Sequence, residues 1–334
     1  MMRRTALAAL AGLAVMLAGP AFAQPYNLTI AGYSPGGLVS TAGAGLDRAL
    51  NAAYPGSTLT YQTSSGGLAN ALLLDQKKVP LAFMQDIELD VAVKGKPPFK
   101  QPVKDLRLLF HPFSPSSRFQ ITQFVANKDW AAKNGIKTVA DIAQKKPAMR
   151  IAVNRPGNLD GDVSLAVLSA NGVSQDDIRK WGGQVVRAAS QEMTSLMLDR
   201  RLDVVSFGVS INHPRMREME NGLELVMLPV NEQTAEKVAT DLGAKTCSIK
   251  AGEYKFLAVD TASICVGMMV VVRADLDEKL AYNITKGVTE NLDKYKAAHR
   301  LLDKAVTVES FTEKAQIPYH PGAEKYYREK GLLK

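Results

Sequence analysis

The sequence is poor in the residues that usually announce chemistry. Its 334 residues include two cysteines and four histidines, and His111, His213, His299 and His320 stand too far apart for a recognisable metal motif. Three of them adjoin a proline, and all four read as structural, so no metal site is assigned. No G-x-S-x-G elbow occurs and neither cysteine sits in a nucleophile context, so no catalytic residue is assigned and an enzyme has no visible chemistry to run. No intact G-x-G-x-x-G opens the first helical pattern, the second strand runs into Thr63 and Ser64 where a ribose-binding acid is expected, and a phosphate-loop lysine motif is missing. Dinucleotide and nucleotide cofactors therefore lack support, and no cofactor is expected. Basic residues form isolated pairs such as Lys77-Lys78, Lys145-Lys146 and Arg200-Arg201, with no basic stripe interleaved with aromatics, which argues against a nucleic-acid partner. Past the N-terminus no apolar run reaches the ~20 residues of a membrane span.

The N-terminus is the exception to this lack of long apolar runs. Arg3 and Arg4 precede an apolar run over residues 6–18, then Gly19, Pro20 and the small-x-small triplet Ala21-Phe22-Ala23. This is the pattern of a secretory signal peptide, 1–23, cut before Gln24, and it places the mature chain in the periplasm. Removing two arginines lowers the formal charge from +8 to +6. The remaining ~311 residues exceed what one hydrophobic core usually holds, which favours two lobes. In an oxidising compartment Cys247 and Cys265 are candidates for a disulfide, which would add about 3 kcal/mol by the chain-entropy argument; the alternative is a pair of unlinked small apolar side chains.

The mature sequence alternates short β-like runs with helical patterns, the signature of an α/β sheet covered on both faces. Strands are expected over 26–32, 59–63, 81–84 and 106–110, with helices over about 39–53 and 68–75. An extended segment over 120–126 leaves this first series. A second series follows, with strands at 150–154, 184–188, 203–207 and 224–228 and a helix from Asp162 to Ala170 that ends at Asn171-Gly172. The apolar stretch 264–272 reads as one strand crossing back, and helices at 278–292, 294–302 and 321–330 complete the chain. Lobe one is thus 24–121 plus 267–334 and lobe two 122–266. Two chain crossings make a hinge, and the cleft is expected where the strand ends of the two lobes face each other.

Three small-residue turns follow expected strands, where an open α/β sheet presents backbone N–H groups and helix N-termini to a ligand. They are Ser34-Pro35-Gly36-Gly37 (followed by Leu38), Ser64-Ser65-Gly66-Gly67 (followed by Asn70), and Arg155-Pro156-Gly157-Asn158 (followed by Leu159 and Asp160). Glycine lets a ligand approach the backbone, while serine and asparagine bind a carboxylate without adding charge. Gln85 and Asp86, at the end of the third strand, can bind a ligand amine or hydroxyl; capping of a following helix by Asp86 is an equal alternative. Arg155 can clamp a carboxylate or stand solvated. Asp160 can meet a cationic group, though an N-cap is slightly favoured. Phe207, ending the strand 203–207, is taken as a further ligand contact.

On these residues the chain resembles the TAXI-type solute receptors of TRAP transporters. The resemblance spans the mature chain: the turn at 34–38, the segment Thr63-Ser64-Ser65-Gly66-Gly67-Leu68-Ala69-Asn70, the strand end Leu81-Ala82-Phe83-Met84-Gln85-Asp86, Leu106-Arg107, and above all Ile317-Pro318-Tyr319-His320-Pro321-Gly322-Ala323-Glu324-Lys325-Tyr326-Tyr327-Arg328-Glu329-Lys330-Gly331. It implies a two-lobed Venus-flytrap receptor, type II-like, that closes on a small carboxylate-bearing solute of the amino acid or dicarboxylate type. The implied partners are that solute and the TRAP permease subunits, with the receptor itself a monomer. Two departures stand out. Gly157-Asn158-Leu159-Asp160 replaces a Gly-Ser-Gly-Thr-like run, which points to a less anionic solute than glutamate, and Leu38 and Val39 occupy positions that often carry hydroxyl-bearing or aromatic residues. Competing readings are a receptor for tricarboxylate-type transporters, against which the C-terminal run argues, and a ligand-sensing module for a membrane sensor kinase.

Overall fold

The computed structural model describes residues 24–333 apart from Ser34, Gly36, Gly37 and residues 156–158. The expected signal peptide and the candidates Ser34, Gly36, Gly37 and Asn158 therefore lie outside the described residues. The strands are β1 (Asn27–Ala31), β2 (Thr58–Gln62), β3 (Leu81–Gln85), β4 (Leu106–Phe113), β5 (Gln120–Asn127), β6 (Arg150–Asn154), β7 (Gln184–Ala188), β8 (Val204–Val209), β9 (Leu225–Met227), β10 (Lys245–Ile249), β11 (Thr261–Val266) and β12 (Met268–Arg273). The helices are α1 (Leu38–Ala53), α2 (Gly67–Asp75), α3 (Asp86–Val93), α4 (Lys128–Asn134), α5 (Asp141–Lys145), α6 (Asp160–Ala170), α7 (Gln175–Lys180), α8 (Ser190–Leu198), α9 (Pro214–Gly222), α10 (Glu232–Leu242), α11 (Glu278–Glu290), α12 (Leu292–Lys296), α13 (Arg300–Ala305), α14 (Val308–Phe311) and α15 (Pro321–Glu329).

The strands form two mixed sheets. The first has the order β2-β1-β3-β12-β4, with β1 parallel to β2 and β3 and with β12 antiparallel to both its neighbours. The second has the order β10-β11-β5-β8-β6-β7, with β9 paired to β5. Both sheets are covered on both faces, which is why their central strands carry apolar residues at successive positions rather than alternating ones. In β12, Met268, Val270 and Val272 enter the core shared with Leu46, Ile284 and Tyr327, while Met269 and Val271 enter the core shared with Leu74 and Leu89 on the opposite face. In β5, Phe124 and Ala126 pack on one side with Val163 and Val167, and Ile121 and Val125 on the other with Met193 and Met197. The methionines of α8 and α9 are thus core, as their helical spacing implies.

The chain crosses between the sheets twice. The first crossing runs from β4 through a short 3-10 turn at Pro115–Ser117 and Arg118, whose φ of 55° is left-handed, into β5. The second lies at Gly267 and divides what the sequence suggested was one strand over 264–272 into β11 and β12. A Cβ at Gly267 would lie 2.5 Å from Pro115 Cδ and 2.7 Å from Asp86 Oδ2, so the two crossings and the start of α3 pack too closely for any side chain there. Cys247 and Cys265 are bonded, with their Cα atoms 5.8 Å apart, diagonally across the antiparallel pair β10–β11.

Candidate functional site

A cavity of about 270 Å³ lies between the two sheets. Leu38 and Thr41 at the start of α1 bound it on one side. Gly208, Val209 and Ser210 at the end of β8, with His213 and Pro214 at the start of α9, form the other side, and Phe119 and Gln120 at the first crossing and His299 and Leu301 at α13 complete the wall. The position follows from the topology: β8 is central in its sheet, so its C-terminal end opens toward the neighbouring sheet, the usual ligand position in such folds. His213 and His299 each accept a backbone N–H of the helix they begin, through Nδ1 to Arg215 and Leu301. Among the described lining residues none is a lysine, arginine, aspartate or glutamate.

Behind this wall a chain of amides and carboxyls joins the two sheets. Gln85 Nε2 donates to Gln120 Oε1 at 3.0 Å, and Gln120 Nε2 donates to Asp160 Oδ2 at 3.2 Å. Asp160 also underlies Gly208: a Cβ there would lie 2.8 Å from Asp160 Oδ1. Glu88 accepts the backbone N–H of Gln85 at 2.8 Å and of Gly67 at 3.0 Å, and the Tyr33 hydroxyl donates to it. Asp86 accepts the Gly267 N–H at 2.6 Å. Asp160 is therefore buried within reach of the Glu88 charge, while Asp86 is buried beside the second crossing, where Lys245 and Glu313 act on it. Burial drives the Asp160 carboxyl up to about 7, the Glu88 charge adding to the effect and the Gln120 hydrogen bond opposing it. Burial likewise raises Asp86 to about 7, against the Gly267 N–H, and raises Glu88 against its donors Tyr33, Gln85 and Gly67.

The structure sorts the residues expected from the sequence. Leu38 lines the cavity and Asp160 lies directly behind it, while Gln85 and Asp86 sit at the junction of the sheets. Asp86 and Asp160 are the first residues of their helices, with Gln85 and Leu159 in the cap positions, so capping is not their role. Ser64 and Asn70 hold the frame rather than the wall. The Asn70 amide donates to the carbonyls of Ala31, Gly32 and Phe83, and the Ser64 hydroxyl lies 2.6 Å from both the Gly32 carbonyl and Asn70 Oδ1. Asn70 is fully buried and spent on the backbone, so it is corrected from ligand contact to clamp. Ser65 is exposed and outside the cavity lining. Arg155 is exposed and paired with Glu192 at 3.1 Å rather than aimed at the cleft. Leu159 packs against the core under α6. Phe207 is a second correction: period-two alternation turns its ring into the core with Met193 and Tyr254, opposite to the face its neighbour Gly208 presents.

Sequence reasoning missed Tyr33, Glu88, Gln120, Gly208 and Ser210. Glu88 was legible as an acid in the first turn of a helix after a strand; Gly208 and Ser210 follow a recognised strand but carry no turn signature.

The two-lobed, type II-like periplasmic-binding-protein fold is the one the comparisons find. Similar solved structures include MatC from Rhodopseudomonas palustris with bound malate (13% identity, 92% of this chain and 99% of that one covered, TM-score 0.55) and a TctC solute binding protein from Polaromonas (13%, 92% and 97%, 0.54). PhnD1 from Prochlorococcus marinus in complex with methylphosphonate is similar to the same degree (13%, 93% and 100%, 0.53). At such identities the likeness is one of fold. The family is fixed by sequence: a family model matches residues 30–331, and the chain belongs to the NMT1-like family.

Proposed function

We propose that this protein is a periplasmic solute receptor of the TAXI type, which captures a small carboxylate-bearing solute by closing two lobes on it and delivers it to a TRAP-type permease. The observation that carries the reading is the cavity between the two sheets, walled by residues from both sheets and from the crossing that joins them. The lobes are 24–121 with 267–334, and 122–266; the signal peptide 1–23 is removed before Gln24, and the receptor acts as a monomer. Ser34, Gly36, Gly37 and Asn158, which precede α1 and α6 in the sequence, are kept in the proposed site. The mechanism is a shift in population: the open form dominates alone, and a solute that touches both lobes favours the closed one.

The test is a thermal-shift screen of the mature chain, unfolded and refolded to strip carried-over solute, against amino acids, dicarboxylates, citrate and small amines. A solute at 100 times its Kd adds about 2.7 kcal/mol, visible as a raised Tm. Stabilisation by one class supports a receptor; citrate alone would favour the tricarboxylate type. No stabilisation by any class would sink the reading and leave a sensor module as the one to pursue.

A further inference from the structure

Two of the residues around the cavity are histidines, and they come to it from different sheets. His213 follows β8 of the second sheet and begins α9, while His299 begins α13, whose Leu302 belongs to the core of the first sheet. Each ring has one edge already committed. Nδ1 of His213 accepts the Arg215 N–H at 3.2 Å, and Nδ1 of His299 accepts the Leu301 N–H at 3.1 Å. A neutral imidazole carries one proton, so where Nδ1 accepts, the proton sits on Nε2 and the opposite edge of the ring is a donor. Burial and the nearby Arg215 charge push the His213 ring down from its ordinary value, which holds it in this neutral form. Nε2 of neither ring has a hydrogen-bond partner among the described residues. A third donor shares the wall with His213: the Ser210 hydroxyl is buried, with the residue 7% exposed, lines the cavity and has no hydrogen-bond partner. The Ser210 carbonyl accepts the His213 N–H at 3.1 Å, which fixes the two side by side. No lysine or arginine stands among the described lining residues, so an anion at this wall meets neutral donors, and Leu38, Phe119, Val209 and Leu301 leave apolar surface for the rest of a solute. An ionised carboxylate is an acceptor only, with two oxygens, so donors arriving from two sides can share it.

We infer that His213 and His299 are ligand-binding residues, which donate Nε2–H from the two sides of the cleft, together with the Ser210 hydroxyl, to carboxylate oxygens of the solute. This assignment rests on the receptor reading above and names the groups that grip the solute. It also ties binding to closure: His213 is carried by the second sheet and His299 packs with the first, so a solute held by both favours the form in which the two approach each other.

Isothermal titration of the refolded mature chain with succinate, malate, citrate, glutamate, alanine and putrescine tests it, in the wild type and in Asn and Gln variants of each histidine. Asparagine places its amide oxygen where Nδ1 stands, so it keeps the helix cap and loses the Nε2–H; glutamine reaches the position of Nε2 with its amide N–H and gives up the cap. For an acid that the wild type binds, His213→Asn should weaken affinity by about tenfold and His299→Asn, at an exposed ring where water competes, by about threefold, with the ligand-free melting temperature held in both. His213→Gln and His299→Gln should bind within about twofold of the wild type. If the glutamine variants fold poorly for want of the cap, the asparagine pair carries the decision alone. Unchanged affinity in either Asn variant, or an equal loss in the Asn and Gln variants of one position, overturns the assignment, leaves that histidine a capping role and lets the receptor reading stand. Binding of putrescine alone overturns it in the same way. No binding of any compound by the wild type overturns the receptor reading and this inference with it.

Discussion

Asp160→Asn isolates the energetics of one buried acid. In the folded chain burial holds the Asp160 carboxyl protonated up to about 7, against an ordinary value of 3.8. The folded state therefore keeps a proton that the unfolded state releases, and the unfolded state gains from ionising. The contribution is fully favourable below about pH 4 and is lost as pH rises through about 7, because stability falls wherever the native state binds more protons. A shift of about three pH units at about 1.4 kcal/mol each gives about 4 kcal/mol as an upper bound, since opening of the cleft would rehydrate the group. Asp86, also raised to about 7, adds a loss of the same sign over the same window. Asparagine keeps the shape and can still accept from Gln120, but it does not titrate. Urea unfolding of the ligand-free protein at pH 5 and pH 8 should show the wild type weaker at pH 8, and Asp160→Asn should lose up to about 2.7 kcal/mol less between the two, the part of the window from pH 5 to about 7. Identical losses in variant and wild type would refute the burial of this carboxyl as the cause.

Two further substitutions probe the frame. Asn70→Ala removes an amide that donates to three backbone carbonyls of β1, β3 and the turn after β1, leaving buried acceptors unsatisfied; a loss of about 3 kcal/mol or more in urea unfolding is expected, with weaker binding only as a consequence. A midpoint within experimental error of the wild type would show that the clamp is dispensable. Replacing both Cys247 and Cys265 by alanine opens a loop between residues 18 apart and should cost about 3 kcal/mol; an unchanged midpoint would mean that the β10–β11 pairing holds without the bond.

Much of the architecture was written in local patterns. The strands β1 to β4 and the helices α1, α2 and α15 follow from apolar periodicity bounded by glycine and proline, and those signals survive because each element buries a face that its own sequence defines. The reading failed where the pattern was weak or ambiguous. It passed over α10 although Ala235, Val238 and Ala239 share one buried face, because the segment around them is polar. It joined β11 to β12 because apolar residues on both sides of Gly267 hide the break; only the approach of Pro115 and Asp86 demands a glycine there.

For the site, sequence alone marked the turns, the acids Asp86 and Asp160, and the compartment expected from residues 1–23. It did not distinguish a side chain that lines a cleft from one that braces it. Asn70 and Phe207 looked like ligand contacts because they stand beside strand ends, yet one is spent on backbone carbonyls and the other turns to the core face of β8. Gln120, Gly208 and Ser210 became a wall only when β5 and β8 were paired and the chain had crossed twice, bringing residues from four separated stretches around one space. Periodicity fixes which face of an element is apolar because that is a property of the segment itself. Which polar groups end up buried together is a property of the assembled sheets, and it brought Asp160 within reach of the Glu88 charge.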